Sequence, residues 1–210
     1  TNYELSLETF TKQYYEKLDR NSFPHEKVTA RINAAAEKGY DALKKAHRED
    51  FQELFNRADV DFGGKLSAEL TTDQLLYNYK VGKQDPYLEE LMFQYGRYLL
   101  IASSRQNSLP TNLQGVWNYY CSSAWGGQYV YNINLPMSYW PAFNTNLVEL
   151  YEPHVKFFDT FFPVLQSNAD AYLMKPDVPT TGVETIGTGK NGICWSTAVN
   201  PFVVREPALT

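Results

Sequence analysis

The chain has 210 residues, of which 43% are hydrophobic and 20% charged, and its formal net charge at pH 7 is −5. This composition is typical of a globular protein with one good core, and the lack of a basic run argues against nucleic acid as a partner. The apolar runs are far shorter than the ~20 residues that span a bilayer, so no membrane partner is expected. Three isolated histidines give no metal-ligand spacing, and no cofactor is expected.

Helical periodicity is clearest in the first half of the chain. Apolar residues recur at three- and four-residue spacing over residues 27–56, where Gly39 weakens the middle and allows a bend. A short helix with a threonine N-cap is predicted over residues 72–81. The next helix is predicted over residues 86–103, because Asp85 is a good N-cap and a proline follows it in the first helical position.

The second half of the chain is predicted to be less regular. A short strand is expected at residues 128–132, and helix is expected to resume near Pro136 and again around residues 145–150. Two prolines divide residues 152–174 into two predicted helical pieces. Proline and glycine are frequent from residue 176 onward, which predicts a long loop of the kind that often carries function. The helices do not alternate with strands, so the fold class is mainly α, with helix pairs joined by loops.

The segment from residue 109 to residue 142 combines aromatic rings and amides with hardly any charge. Flat aromatic faces beside fixed amide groups suit a pocket for a polar, neutral ligand, and a sugar is the first candidate. Within it, Asn132 and Asn134 are two residues apart, so in an extended segment both side chains face the same way. Two adjacent amide oxygens can accept both protons of one water and orient its lone pair. The alternative, that these asparagines only cap loops and helices, stays open.

This segment resembles the signature of glycoside hydrolase family 95, the 1,2-α-L-fucosidases and their relatives. The family typically reads LPANLQGIWN, then PPWGSDYTININ, then TEMNYWPAE. The matching residues here are Leu109-Pro110, Asn112 to Asn118, Trp125-Gly126, Tyr129, Asn132 to Asn134, Met137 and Tyr139 to Ala142. The likeness also includes residues 93–105 and reaches upstream, and it covers roughly residues 27–165.

The resemblance implies a partial (α/α)6 toroid from a larger multidomain enzyme. Residues 23–210 would form the first part of this catalytic domain, and residues 1–22 the linker that precedes it. The family inverts configuration, and the resemblance implies that Asn132 and Asn134 orient the attacking water in the hydrolysis of α-L-fucosyl or related residues of glycans. The catalytic carboxyl groups are expected beyond Thr210. The isolated chain is therefore expected to be inactive, and to self-associate through helix faces left uncovered.

Several other residues are candidates for binding the glycan substrate. Ring faces can stack on the apolar C–H patches of a sugar, and Glu184 lies in the predicted loop among neutral polar residues. The candidates for substrate binding are Trp117, Trp125, Tyr129, Trp140 and Glu184. For the tryptophans, the alternative is that they fill the core beneath the loops.

The chain also departs from the family pattern. Where relatives read TEMN before the conserved tyrosine, residues 135–138 are Leu-Pro-Met-Ser, and Phe143 replaces an acid. Losing groups that can hydrogen-bond sugar hydroxyls favours a related sugar or a differently linked fucoside. A second class of function also stays open, namely a non-catalytic helical carbohydrate-binding or interaction module derived from such an enzyme.

Two further points are left open by the sequence. Cys121 and Cys194 allow one disulfide at most, and both a bridge and free thiols are compatible with their spacing. The chain starts at Thr1 without a methionine, so the lack of a visible signal peptide decides little about its origin.

Overall fold

The computed structural model describes residues 23–67, 69–120, 123–173, 193 and 198–199. Within these residues the chain forms six α-helices, two short 3₁₀ segments and one pair of antiparallel strands, so the predicted mainly α class is confirmed. The predicted linker, Glu184 and both cysteines lie outside the described residues. Of the loop predicted from residue 176 onward, only residues 193 and 198–199 are described. Of the described helices, none combines the length and apolar character needed to cross a membrane.

The elements follow one another along the chain in short units. The helices are α1 (His25–Lys38), α2 (Tyr40–Phe55), α3 (Thr72–Lys80), α4 (Pro86–Ser103), α5 (Asn134–Asn144) and α6 (Glu152–Leu173). The strands are β1 (Tyr129–Val130) and β2 (Ala198–Val199), and the 3₁₀ segments are Ala124–Gly127 and Val148–Tyr151. Tyr129 pairs with Val199 across the two strands.

Local signals set most of the helix boundaries in the first half of the chain. Gly39, with φ of 76°, separates α1 from α2, so the predicted bend is confirmed. Thr71 and Gln74 form a capping box at the start of α3. The Oδ1 atom of Asp85 accepts a hydrogen bond of 3.0 Å from the Leu88 N–H, which confirms the predicted N-cap of α4.

The long helix α6 corrects one prediction. It runs unbroken through Pro163, although a proline inside a helix removes a backbone donor and was expected to divide this region. Phe157, Phe161, Leu165 and Ala169 recur every four residues on both sides of the proline, and all four are buried. Burial of this continuous apolar stripe offsets the local cost of the proline.

The core lies where α4, α5, α6 and the 3₁₀ segment before α6 meet. Helix α2 joins it only through its C-terminal end, where Leu54 is buried and Phe51 packs against the cluster. Helix α1 has no buried residue, and its apolar Val28 and Ile32 are exposed. The first helix therefore contributes little to the core of the described residues.

A buried arginine ties α4 to the end of α2. The Arg97 guanidinium donates hydrogen bonds to the carbonyl oxygens of Phe55 (2.6 Å), Ala58 (2.7 Å) and Leu54 (3.1 Å). These carbonyls lie at or just beyond the C-terminus of α2, where helical donors run out. The Leu54 carbonyl also accepts a bond of 3.3 Å from the Arg57 N–H. Arg97 thus makes a set of charge-assisted bonds to the backbone, which are stronger than bonds between neutral groups.

We expect Arg97→Lys to lower the free energy of unfolding by about 2 kcal/mol, because one ammonium cannot reproduce the planar fork that serves three carbonyls. Arg105→Lys is the matched control, since Arg105 is partly exposed and pairs with Asp50 at the surface, and its loss should stay below about 1 kcal/mol. Urea unfolding of the two variants beside the wild type measures both. Equal losses would contradict the structural role given to Arg97.

Candidate functional site

The signature segment forms the wall of a cavity of about 450 Å³. The cavity lies between the C-terminal half of α4, the loop of residues 111–117 and one face of α5. Its walls are largely apolar, and a few polar side chains, among them Asn112, Gln114 and Ser138, are placed around it. This size and this mixture are typical of sites for small polar ligands.

The loop of residues 111–117 is a tight, internally bonded turn. The Gly115 N–H donates to the Asn112 carbonyl (3.0 Å), and the Gln114 N–H donates to the Asn112 side-chain oxygen (2.9 Å). Gly115 has φ of 63°, and a Cβ atom there would lie 2.5 Å from the Trp117 ring. Only glycine allows both this backbone conformation and the close approach of the indole, which holds Trp117 against the cavity wall.

The backbone around the predicted asparagine pair is not extended, which corrects the geometry on which that prediction was built. Residues 131–133 form a turn and Asn134 is the first residue of α5. Asn132 uses its Oδ1 atom to accept a bond of 3.0 Å from the Ile133 N–H, and the side chains of both asparagines are exposed. The predicted alternation of side chains therefore does not apply, and the water-orienting role stays a prediction.

Helical geometry nevertheless relates Asn134 to the cavity. Met137, Ser138 and Pro141 line the cavity from α5, and they lie three, four and seven residues after Asn134. Residues with this spacing share one face of a helix. Asn134 therefore starts the helix face that forms the cavity wall, and Asn132 lies in the turn immediately before it.

All three tryptophans of the segment are exposed, so the alternative that they fill the core is wrong. The exposed fractions are 48% for Trp117, 82% for Trp125 and 59% for Trp140, and of these only Trp117 lines the cavity. Trp125 has φ of 57° and is followed by two glycines that also have positive φ. A non-glycine residue in this region costs about 1 kcal/mol, and such outliers cluster at functional sites.

The structure places Tyr129 in the core, a position that does not favour its predicted role in substrate binding. Its ring is 5% exposed and its centroid lies 4.5 Å from that of Phe157 on α6. Burial raises the pKa of Tyr129 to about 12, with a smaller contribution from Tyr139. Tyr129 pairs with Val199 across β1 and β2 and its ring packs against α6, so its role in substrate binding stays a prediction.

Sequence reasoning missed the polar contacts behind the cavity. The Thr111 N–H donates to the Tyr139 hydroxyl (3.0 Å), and the Ser104 hydroxyl lies 2.7 Å from the same oxygen. A serine just after a helix carries no distinctive pattern, so no sequence signal marks Ser104. For Tyr139 the available signal was its place in the family signature, which does not indicate the partners of its hydroxyl.

Similarity to known proteins identifies the family of the chain. The model of the glycosyl hydrolase family 95 catalytic domain matches residues 39–207. The chain belongs to glycoside hydrolase family 95. The match begins later than the resemblance predicted and extends further, across the segment rich in proline and glycine.

Relatives of the chain include proteins named as fucosidases. It is 44% identical over 156 residues to "Probable alpha-fucosidase A" of Aspergillus niger, covering 73% of this chain and 19% of that protein. It is 38% identical over 149 residues to "Alpha-L-fucosidase 2" of Arabidopsis thaliana, covering 69% and 17%. It is 43% identical over 132 residues to "Probable alpha-fucosidase A" of Aspergillus oryzae, covering 60% and 18%. The chain thus spans less than a fifth of the length of these relatives.

Acidic side chains outside the signature cavity form ion pairs with arginines. A second cavity, of about 350 Å³, is lined by charged residues, where Arg57 pairs with Glu149 and Arg105 with Asp50. Desolvation acts to raise the pKa of Glu149, but its own backbone N–H and Arg57 outweigh this and lower it. Glu149 is therefore ionised and suited to structure rather than to proton donation. Within the described residues, no three His, Cys, Asp or Glu are grouped to hold a metal ion.

An aromatic cluster supports the turn that carries Asn132. His154 is buried, its ring stacks on Tyr151 at 4.7 Å, and the ring of Tyr131 lies 5.6 Å away. Neither ring nitrogen of His154 has a hydrogen-bond partner in the part of the chain that the structure describes. Burial lowers the pKa of His154, so the imidazole is neutral in the folded protein at pH 7.

The folded-state pKa of His154 lies below its unfolded value of about 6.5, so protons bind the unfolded chain more readily. The contribution of His154 to stability is complete above about pH 6.5 and falls as the pH drops toward the lower folded-state value. We expect the thermal unfolding temperature to fall less steeply with acidification in His154→Phe than in the wild type. His47→Phe, at an exposed position on α2, is the control and should follow the wild type. Parallel pH profiles for all three proteins would refute the role of His154.

Proposed function

We propose that this chain is part of an inverting glycoside hydrolase that removes terminal α-L-fucosyl or closely related residues from glycans. The observation that carries the proposal is family 95 membership together with relatives named as α-fucosidases at 38–44% identity. The cavity supports it, because its walls are built from residues of the family signature. Within this enzyme, the chain would supply the side of the site that orients the attacking water.

The proposed water-orienting groups are the amides of Asn132 and Asn134. Both side chains are exposed at the end of the cavity-lining face of α5, where a water can reach them. An amide oxygen accepts a hydrogen bond from water but stays neutral, so it can orient the water without removing a proton from it. A carboxylate base and a carboxylic acid are needed in addition.

The described carboxylates near the two cavities do not fit those two roles. Glu149 pairs with Arg57, and Glu152 lies 2.6 Å from the Lys156 ammonium. An inverting site also needs its two carboxyl groups roughly 6.5–9.5 Å apart on opposite faces of the sugar. We therefore propose that both come from the remainder of the full-length protein and that the isolated chain is inactive.

The sugar would lie against the loop that carries Trp117. The half-exposed indole offers an apolar face, and the amides and hydroxyls around the cavity offer hydrogen bonds. The Gln114 amide donates to the carbonyl of Ala124 (2.9 Å), so the cavity wall is joined to the turn that carries Trp125. Trp125 directly follows the bonded Ala124, and its exposed ring is a second candidate platform for the sugar.

A non-catalytic carbohydrate-binding module is the second candidate. The observation in its favour is the exposure of Trp117, Trp125 and Trp140, which would suffice to bind a sugar without any acid or base. An assay of the full-length protein distinguishes the two candidates, since only a hydrolase releases a sugar.

We expect the full-length protein to hydrolyse an aryl α-L-fucoside or α-L-galactoside, and to prefer one of these to 2′-fucosyllactose. The preference follows from Pro136 and Ser138, which replace an acid and an amide of the family pattern. The isolated 210-residue chain should release no sugar. Binding without hydrolysis by the full-length protein would favour the module, and a dominant kcat/KM on 2′-fucosyllactose would show that these positions do not set specificity.

In the full-length protein, Asn132→Ala or Asn134→Ala should lower kcat by about a hundredfold to a thousandfold, because an orienting contact to the water acts mainly in the transition state. KM should change much less. Asn144→Ala is the matched control, since Asn144 is exposed at the opposite end of the same helix. Steady-state kinetics of the folded variants measures the difference. Unchanged turnover in the double variant would assign both asparagines to a structural role.

A further inference from the structure

The hydroxyl of Tyr139 is the centre of a buried hydrogen-bond network. The Ser104 hydroxyl donates to the Leu150 carbonyl (2.8 Å), so the Tyr139 hydroxyl donates to Ser104 Oγ (2.7 Å). With its remaining lone pairs the tyrosine oxygen accepts from the Thr111 N–H (3.0 Å). The donor–acceptor distances in this network are normal for hydrogen bonds, and each donor group makes one bond.

The network joins the elements that surround the signature cavity. Ser104 directly follows α4, Tyr139 lies on α5, and Thr111 begins the loop of residues 111–117. The rest of that loop is bonded chiefly within itself, through Asn112 and Gly115. The bond from Thr111 is thus the point where a compact turn is fastened to the two helices that complete the cavity.

The surroundings of Tyr139 make this attachment strong and rigid. Its ring is 1% exposed and packs edge-on against Tyr151 and His154. Burial raises the pKa of Tyr139, although its bonds to Ser104 and Thr111 act in the opposite direction. The phenol therefore stays protonated and keeps its donor, and a buried amide at Thr111 would lose its partner if the hydroxyl were removed.

We propose that Tyr139 is a positioning residue whose hydroxyl fixes the 111–117 loop, and with it Trp117, against the substrate cavity. Tyr139 touches no reacting atom and acts through the Thr111 amide. The proposal deepens the proposed function and rests on it for the identity of the ligand. The attachment of the loop itself can be measured without any substrate.

The test is carried out on the full-length protein with Tyr139→Phe, which keeps the packed ring and removes only the hydroxyl. Tyr151→Phe is the matched control, because Tyr151 belongs to the same aromatic cluster but takes no part in the network. Hydrogen–deuterium exchange of residues 111–117 reports the attachment of the loop. Steady-state kinetics on an aryl α-L-fucoside reports its effect on the site, and α4 provides an internal reference for exchange.

We expect Tyr139→Phe to speed exchange in residues 111–117 and to raise KM about tenfold, the effect of losing one buried hydrogen bond, with kcat changed much less. Tyr151→Phe should match the wild type in both measurements. Equal exchange and equal KM in the two variants would overturn the proposal, and so would a general loss of stability in Tyr139→Phe with KM unchanged. If the wild type lacks fucosidase activity, the proposed function fails, while faster exchange confined to the loop still supports the role of Tyr139.

Discussion

The described part of the molecule depends on the way the Tyr139 side chain joins the apolar core to the cavity wall. Its ring belongs to the same cluster as Phe161 and Leu165 on α6, and its hydroxyl bonds the backbone of Thr111. Burial of apolar surface stabilises the cluster, whereas the hydroxyl orients the loop that begins at Thr111. A hydrogen bond requires a particular geometry, and an apolar contact does not. The loop that carries Trp117 is thereby set against helices that are themselves held by the core.

The chemistry of the site is divided between neutral and ionised groups. The chain brings amides, hydroxyls and exposed rings to the signature cavity, while Arg57 and Arg105 neutralise carboxylates in a separate cavity. Neutral groups bind and orient a sugar and a water, but proton transfer needs carboxyl groups of separated pKa. This division is the basis of our proposal that the remainder of the full-length protein supplies the two carboxyl groups.

Sequence patterns predicted those features that depend on neighbours along the chain. The N-cap at Asp85 and the bend at Gly39 need only local backbone geometry, and both are confirmed. The continuity of α6 through Pro163 depends on a stripe that packs against distant helices, so local rules gave the wrong result. In the same way, the strand partner of Tyr129 comes from far along the chain. The family resemblance identified the cavity segment, but the contact between Tyr139 and Thr111 could not be derived from spacing.

The decisive experiment is a crystal structure of the full-length protein with bound β-L-fucose, the product of an inverting α-L-fucosidase. We expect the sugar in the signature cavity, with one of its faces against Trp117. Its anomeric hydroxyl, which comes from the attacking water, should lie against the amides of Asn132 and Asn134. Two carboxyl groups from the remainder of the protein should flank the ring at the separation of an inverting site. A sugar bound away from this cavity, with neither asparagine near its anomeric carbon, would contradict the proposed site.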